Sequence, residues 1–150
     1  MRAILQRTLE ASVSVNNQTT AAIKSGLLIL LGVEDGDVAE DVEWLSGKVA
    51  RMRIFADEEG KMNRSVTEAG GGIIVVSQFT LHASTKKGNR PSFLRSAAPA
   101  VSEPLYERFC ATLETETGTP VGRGIFGADM KVALVNDGPV TIFIDSRNRE

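Results

Sequence analysis

The chain has 150 residues, 42% of them hydrophobic, and a formal net charge of −2, which suits one domain over residues 1–150 with a single good core. One cysteine, Cys110, and one histidine, His82, exclude an internal disulfide and a zinc site of the usual nitrogen and sulfur ligands, so no metal or other cofactor is expected. The longest wholly apolar run, Leu27 to Leu31, falls far short of the ~20 residues that span a bilayer, and no basic segment leads into an apolar stretch near the amino end; a cytoplasmic protein is expected.

Ala3 to Val15 and Gln18 to Lys24 read as strands, the first by its alternation, and Gly26 to Val33 is apolar in the manner of a strand buried on both faces. A helix follows, with Asp37 as N-cap, Glu40 three positions on, and Val38, Val42, Leu45, Val49 and Met52 at helical spacing. Arg53-Ile54-Phe55, a turn at Glu59-Gly60 and a short polar segment lead to Gly70-Gly71-Gly72, which opens a buried strand from Ile73 to Val76. That strand ends in Ser77-Gln78-Phe79-Thr80-Leu81, a polar cluster at a carboxyl end, a common position for active-site groups.

From His82 to Ala100 the chain reads as a long loop. Lys86, Lys87, Arg90 and Arg95 stand in it without an acid between them, a pattern that fits contact with a few phosphates and equally a solvated loop; its length favours a function. A second helix is expected over Glu103 to Thr117, stopping at Gly118, with Tyr106, Phe109, Cys110 and Leu113 on one face. Cys110 is therefore read as a packed thiol and not a nucleophile. Last come two strands, Val132 to Val135 and Val140 to Ile144, around Asn136-Asp137-Gly138-Pro139. Two helices among seven or so strands imply an α/β protein with mixed or antiparallel sheets.

Two patterns mislead. Gly122-Arg123-Gly124-Ile125-Phe126-Gly127 spells the dinucleotide fingerprint, but strand-like residues follow it and too little chain remains for a βαβ unit, so it reads as a glycine-rich turn or bulge. A Ser/Thr-His hydrolase with His82 as base lacks a nucleophile elbow, and nearness of His82 to Thr80 in sequence is not nearness in geometry. By itself the Ser77 cluster could equally be strand-end residues satisfying backbone groups.

Ser77-Gln78-Phe79-Thr80-Leu81 together with Asn136-Asp137-Gly138-Pro139-Val140-Thr141 resembles the paired SQFTL and NxGPxT signatures of the D-aminoacyl-tRNA deacylase family. Arg2 to Arg7, Gly26 to Val33, Arg53-Ile54-Phe55, Gly60 to Asn63, Arg90-Pro91-Ser92-Phe93 and Ala128-Asp129-Met130 are similar to family segments in the same order, so the resemblance covers nearly the whole chain. It implies an α/β/β three-layer fold, a homodimer, and hydrolysis of the ester joining a D-amino acid to the 3′-terminal adenosine of tRNA, with no DNA or membrane partner. It also implies a cis Gly138-Pro139 bond inserted into the partner's active site, whose two carbonyls hold the substrate ammonium while an L side chain clashes with backbone.

The same resemblance assigns roles. Ser77, Gln78, Phe79 and Thr80 would form the adenosine and ester pocket, with Phe79 near the base, Gln78 or a neighbouring backbone N–H as oxyanion donor, and Thr80 as nucleophile or, preferably, orienting water. Phe126 and Met130 match pocket-lining positions, and Arg7 would hold the partner's Gly-Pro segment. Glycyl-tRNA, with no side chain to exclude, is an expected side substrate. A trans Gly-Pro relative that clears a different mischarged tRNA, and a non-catalytic tRNA-binding dimer using the Lys86 to Arg95 loop, are the alternatives.

Overall fold

The computed structural model describes residues 1–150. β1 (Arg2–Val15), β2 (Gln18–Ile23) and β3 (Gly26–Gly32) follow one another, and β1 pairs antiparallel with both of the others. Its first half, Arg2 to Thr8, lies along β3, and its second half, Ala11 to Val15, lies along β2. The sheet therefore changes layer in the middle of β1. α1 (Ala39–Arg51), a small antiparallel pair of β4 (Phe55–Ala56) and β5 (Met62–Arg64), and β6 (Gly72–Ser77) come next. α2 (Pro99–Thr117), β7 (Val121–Arg123) and β8 (Lys131–Asp145) complete the chain. β3, β6 and β7 run parallel, with α1 and α2 in the crossovers.

The alternation of side chains along each strand builds two cores from one sheet. Leu27, Ile29, Leu31, Ile73 and Val75 face the helices and pack in one cluster with Val42, Leu45, Val49, Tyr106, Phe109 and Leu113. Leu28, Ile74 and Val76 face the other way and cluster with Ala11, Val13 and Ala21, against which Met130, Val132 and Leu134 pack. Helices, a central sheet and a folded-over sheet make the α/β/β arrangement that the sequence suggested, and β3 and β6 are apolar throughout because both their faces are covered. The two sheet layers nearly close on themselves. A Cβ on Gly122 of β7 would stand 3.0 Å from the Cβ of Ala21 on β2, a tighter contact than most Cβ atoms make. The dinucleotide-like pattern opens in strand β7 (Val121–Arg123) and ends in a turn at Gly127, φ +73°, where a turn or bulge was expected throughout.

Three expected features differ. Asp37 does not cap α1: its carboxylate accepts the Glu34 N–H at 2.6 Å and pairs with Arg147 Nε at 3.0 Å in a buried cluster. The N-cap is Val38, whose side chain makes no capping bond and is 52% exposed, outside the buried face; Asp41, in the first turn, reaches back to accept the Val38 N–H at 3.0 Å. α2 begins at Pro99, four residues before the expected Glu103, because proline at the first helical turn gives up only an N–H that has no partner there. The carboxyl-terminal pair of strands is one long strand, β8, paired antiparallel with β1 from Asp145 to Lys131. Asn136 stands opposite Thr8 and Thr141 opposite Gln6, so Asp137, Gly138, Pro139 and Val140 bulge out across from Arg7 alone.

Candidate active site

β3 and β6 end side by side with Leu31 opposite Ser77. Beyond Ser77 the chain turns through a 3-10 segment, Phe79–His82, held by the Gln78 N–H donating to the Leu31 carbonyl at 2.8 Å. A cavity of about 520 Å³ opens at this edge, walled by Ser77 at the end of β6 and Gln78 and Phe79 after it, by Phe126 and Met130 before β8, and by Ser102 and Tyr106 of α2. Its sole charged lining residue is Asp129, which pairs with Lys131 at 2.9 Å. An apolar chamber with a few hydroxyl and amide groups suits an organic ligand held by shape and a small number of hydrogen bonds.

Five of the expected pocket residues, Ser77, Gln78, Phe79, Phe126 and Met130, thus meet at one cavity although almost fifty positions separate the two segments. Thr80 does not line the cavity, and its hydroxyl accepts a hydrogen bond from the Gln78 side-chain amide. Phe79 is 57% exposed at the rim, with its carbonyl accepting from Ser96 Oγ at 2.9 Å and its ring edge-on to Phe93 at 5.1 Å between centroids.

His82 is fully buried, its Nδ1 3.8 Å from the Glu34 carboxylate. Burial lowers its pKa from the ordinary 6.5, the Glu34 charge only partly opposing the shift. Below pH 6.5 the unfolded chain therefore takes up a proton that the folded chain refuses, so stability is whole above that pH and declines beneath it. The midpoint of thermal unfolding should fall between pH 7 and pH 5, and His82→Gln should flatten that decline, which for one group is at most about 1.4 kcal/mol per pH unit. An equal slope in the variant would assign the effect to other groups.

The bulge from β8 is braced at its neck and its side. Asn136 Oδ1 accepts the Val140 N–H at 2.9 Å and Asn136 Nδ2 donates to Thr141 Oγ1 at 3.0 Å, which accounts for an Asn and a Thr flanking the Gly-Pro pair. Arg7, opposite the bulge, pairs with Asp137 at 2.9 Å and donates to the Ile54 carbonyl at 2.6 Å. The register of β1 against β8 thus places Arg7 beside the tip of its own chain. Gly138 and Pro139 are joined by a cis bond, are exposed, and do not line the cavity of their own chain.

Some lining residues escaped the sequence reading. Tyr106 looked like a core position of α2; it is that, its hydroxyl donating to the Val75 carbonyl at 2.8 Å, but its ring also forms cavity wall 5.9 Å from Phe126. Ser102 and Pro99 were lost with the late helix start. Cys110 is buried as expected, its thiol pushed up to about 12 by burial, an inert state for a sulfur.

Comparison with known proteins gives a concordant result. The family described as D-Tyr-tRNA(Tyr) deacylase matches residues 4–145. Proteins named D-aminoacyl-tRNA deacylase from Flavobacterium johnsoniae and Parabacteroides distasonis are 60% and 57% identical over 150 residues, the whole of both chains in each case. Among solved structures, the c-Myc DNA Unwinding Element Binding Protein is 37% identical with a TM-score of 0.91, over 97% of this chain and 98% of that one. A probable eukaryotic D-amino acid tRNA deacylase, 22% identical with a TM-score of 0.80 over 95% of this chain and 97% of that one, shares the fold.

Proposed function

The chain belongs to the D-Tyr-tRNA(Tyr) deacylase family, and from that premise we propose that it is a D-aminoacyl-tRNA deacylase, a hydrolase that cuts the ester between a D-amino acid and the terminal ribose of tRNA. The observation that carries this reading is the single cavity walled by Ser77, Gln78, Phe79, Phe126 and Met130. Its apolar walls accept the terminal adenosine, with the exposed Phe79 ring at the rim available to the base. No cofactor enters the reaction. The cytoplasm, where aminoacyl-tRNA is used, is its place of action, and no helix is long and apolar enough to cross a membrane.

In this mechanism the Gly138-Pro139 tip of one subunit enters the cavity of a second copy, where its carbonyls accept hydrogen bonds from the substrate's α-ammonium. An L side chain would then point into backbone, whereas a D side chain points to solvent. Chirality is selected by excluding one hand, so glycyl-tRNA is a side substrate. The tip's exposure and its absence from the lining of its own cavity favour such an exchange. Arg7 and Asn136 set the tip's position, the first from its flank and the second from its neck.

Gln78 donates to the developing oxyanion and Thr80, tied to the same amide, orients it or the attacking water. No base stands ready to make Thr80 a nucleophile, since the one imidazole is buried and faces Glu34. Gln78→Ala should lower kcat by about 10²–10³, while Thr80→Ala should retain measurable turnover and no acyl-enzyme should be trapped from the wild type. A loss below tenfold for Gln78→Ala would move the oxyanion role to backbone N–H groups, and an ester trapped on Thr80 would make it the nucleophile. The overall reading is tested by amino acid release from matched D- and L-aminoacyl-tRNA.

A further inference from the structure

The cavity has no cation. Its one charged lining residue is acidic, so a polyanionic substrate must find its positive contacts outside. No aspartate or glutamate stands between Glu68 and Glu103, and within that stretch Lys86, Lys87 and Arg90 are exposed and take part in no ion pair or side-chain hydrogen bond, whereas the neighbouring Arg95 is bound to the buried Glu34. The base of their loop is fixed. Ser84 and Ser92 exchange backbone hydrogen bonds at 2.8 and 2.9 Å, and the Asp35 N–H donates to the Arg95 carbonyl at 3.0 Å.

The loop is also physically continuous with the cavity wall. Phe93, one residue past the Ser84–Ser92 bridge, stacks edge-on against the lining residue Phe79, and Ser96 ties the same loop segment to the Phe79 carbonyl. Three unpaired cations on a short anchored ribbon therefore adjoin a pair of exposed rings at the mouth of a neutral-to-acidic chamber. Cations beside exposed aromatic faces are the combination that tracks single-stranded nucleic acid, the charges on phosphates and the rings under bases.

We propose, resting on the deacylase reading above, that the Lys86–Arg90 loop and the Phe79–Phe93 pair form a rim subsite for the single-stranded nucleotides that precede the terminal adenosine, and that this rim sets affinity for tRNA without taking part in ester cleavage. Lys86, Lys87 and Arg90 neutralise the phosphates of that single strand. Phe93 offers a stacking edge to the base next to the one in the cavity.

The test compares three substrates carrying the same D-amino acid: full tRNA, a short oligonucleotide with the same 3′ single strand, and the bare adenosine ester. Lys86→Ala/Lys87→Ala/Arg90→Ala should raise KM about tenfold on the first two with kcat within about twofold, and should flatten the slope of log KM against log salt by about two, near 0.7 for each phosphate no longer neutralised. The adenosine ester should be cleaved as by the wild type, which also shows that the variant is folded. The charge-preserving K86R/K87R/R90K should restore the tRNA KM. Unchanged KM on tRNA, or an equal loss on the adenosine ester, would overturn the rim subsite, and a loss confined to full tRNA would overturn its assignment to the single strand. Failure of the wild type to cleave any D-ester would instead refute the deacylase reading, and retention of tRNA on a filter by wild type but not by the triple variant would still support the rim.

Discussion

Purified protein should hydrolyse D-tyrosyl-tRNA and D-aspartyl-tRNA more than a thousandfold faster than their L counterparts. The two D substrates differ in size and charge, and both should be cleaved because a side chain directed to solvent is not read. Rejection of the L hand by a thousandfold requires about 4 kcal/mol of difference between the two transition states, which a clash with fixed backbone readily supplies. Glycyl-tRNA presents nothing to clash and should be cleaved as well. Release of labelled amino acid from each pair at equal enzyme concentration measures the ratio. Equal rates on D and L would refute steric exclusion, and full resistance of glycyl-tRNA would mean that the α-hydrogen is itself recognised.

Activity should return when two inactive variants are mixed. The first carries a disruptive double change at Gln78 and Thr80, which spoils the cavity and leaves the tip intact. The second is Gly138→Ala. Gly138 has φ +124°, where side chains are disfavoured, and an added Cβ would lie 2.8 Å from Val140 Cγ2 and 3.2 Å from Arg7 Nη2, so the tip is displaced while the core is untouched. If each site takes its cavity from one subunit and its tip from the other, a mixed dimer gathers both lesions in one site and leaves the other whole. Half of the dimers are mixed after free exchange and half of their sites work, so activity should recover to about a quarter of wild type per protomer. No recovery, with mixed dimers confirmed by mass, would place cavity and tip of each site in a single subunit.

Arg7 shows where local reading reached its limit. Its place beside a Gly-Pro segment came from the family resemblance alone, and the intrachain contact with Asp137 is set by the register of β1 against β8, which brings Arg7 opposite the bulge of its own chain. The bulge itself was missed for a similar reason. Asp-Gly followed by proline between two apolar runs is a reasonable hairpin signal, and only the continuous pairing of both runs with β1 turns it into an interruption of one strand. The start of α2 was missed differently, because its N-cap, Ala98, carries no polar side chain to announce a helix.

What the sequence determined by itself was whatever depends on periodicity and on short-range chemistry. The doubly buried strands at Leu27 and Ile73, the apolar faces of both helices, the packed state of Cys110 and the two polar signatures follow from residues a few positions apart, since side-chain direction repeats every two or 3.6 residues. Tertiary structure alone decided the rest. The parallel pairing that ends β3 and β6 at one edge, the return of β8 to β1 and the early start of α2 bring Ser77 to Phe79, Phe126 to Met130 and Tyr106 to one cavity and leave Gly138 outside it. Contacts between distant segments depend on how whole sheets pack and close, and no local pattern carries that information.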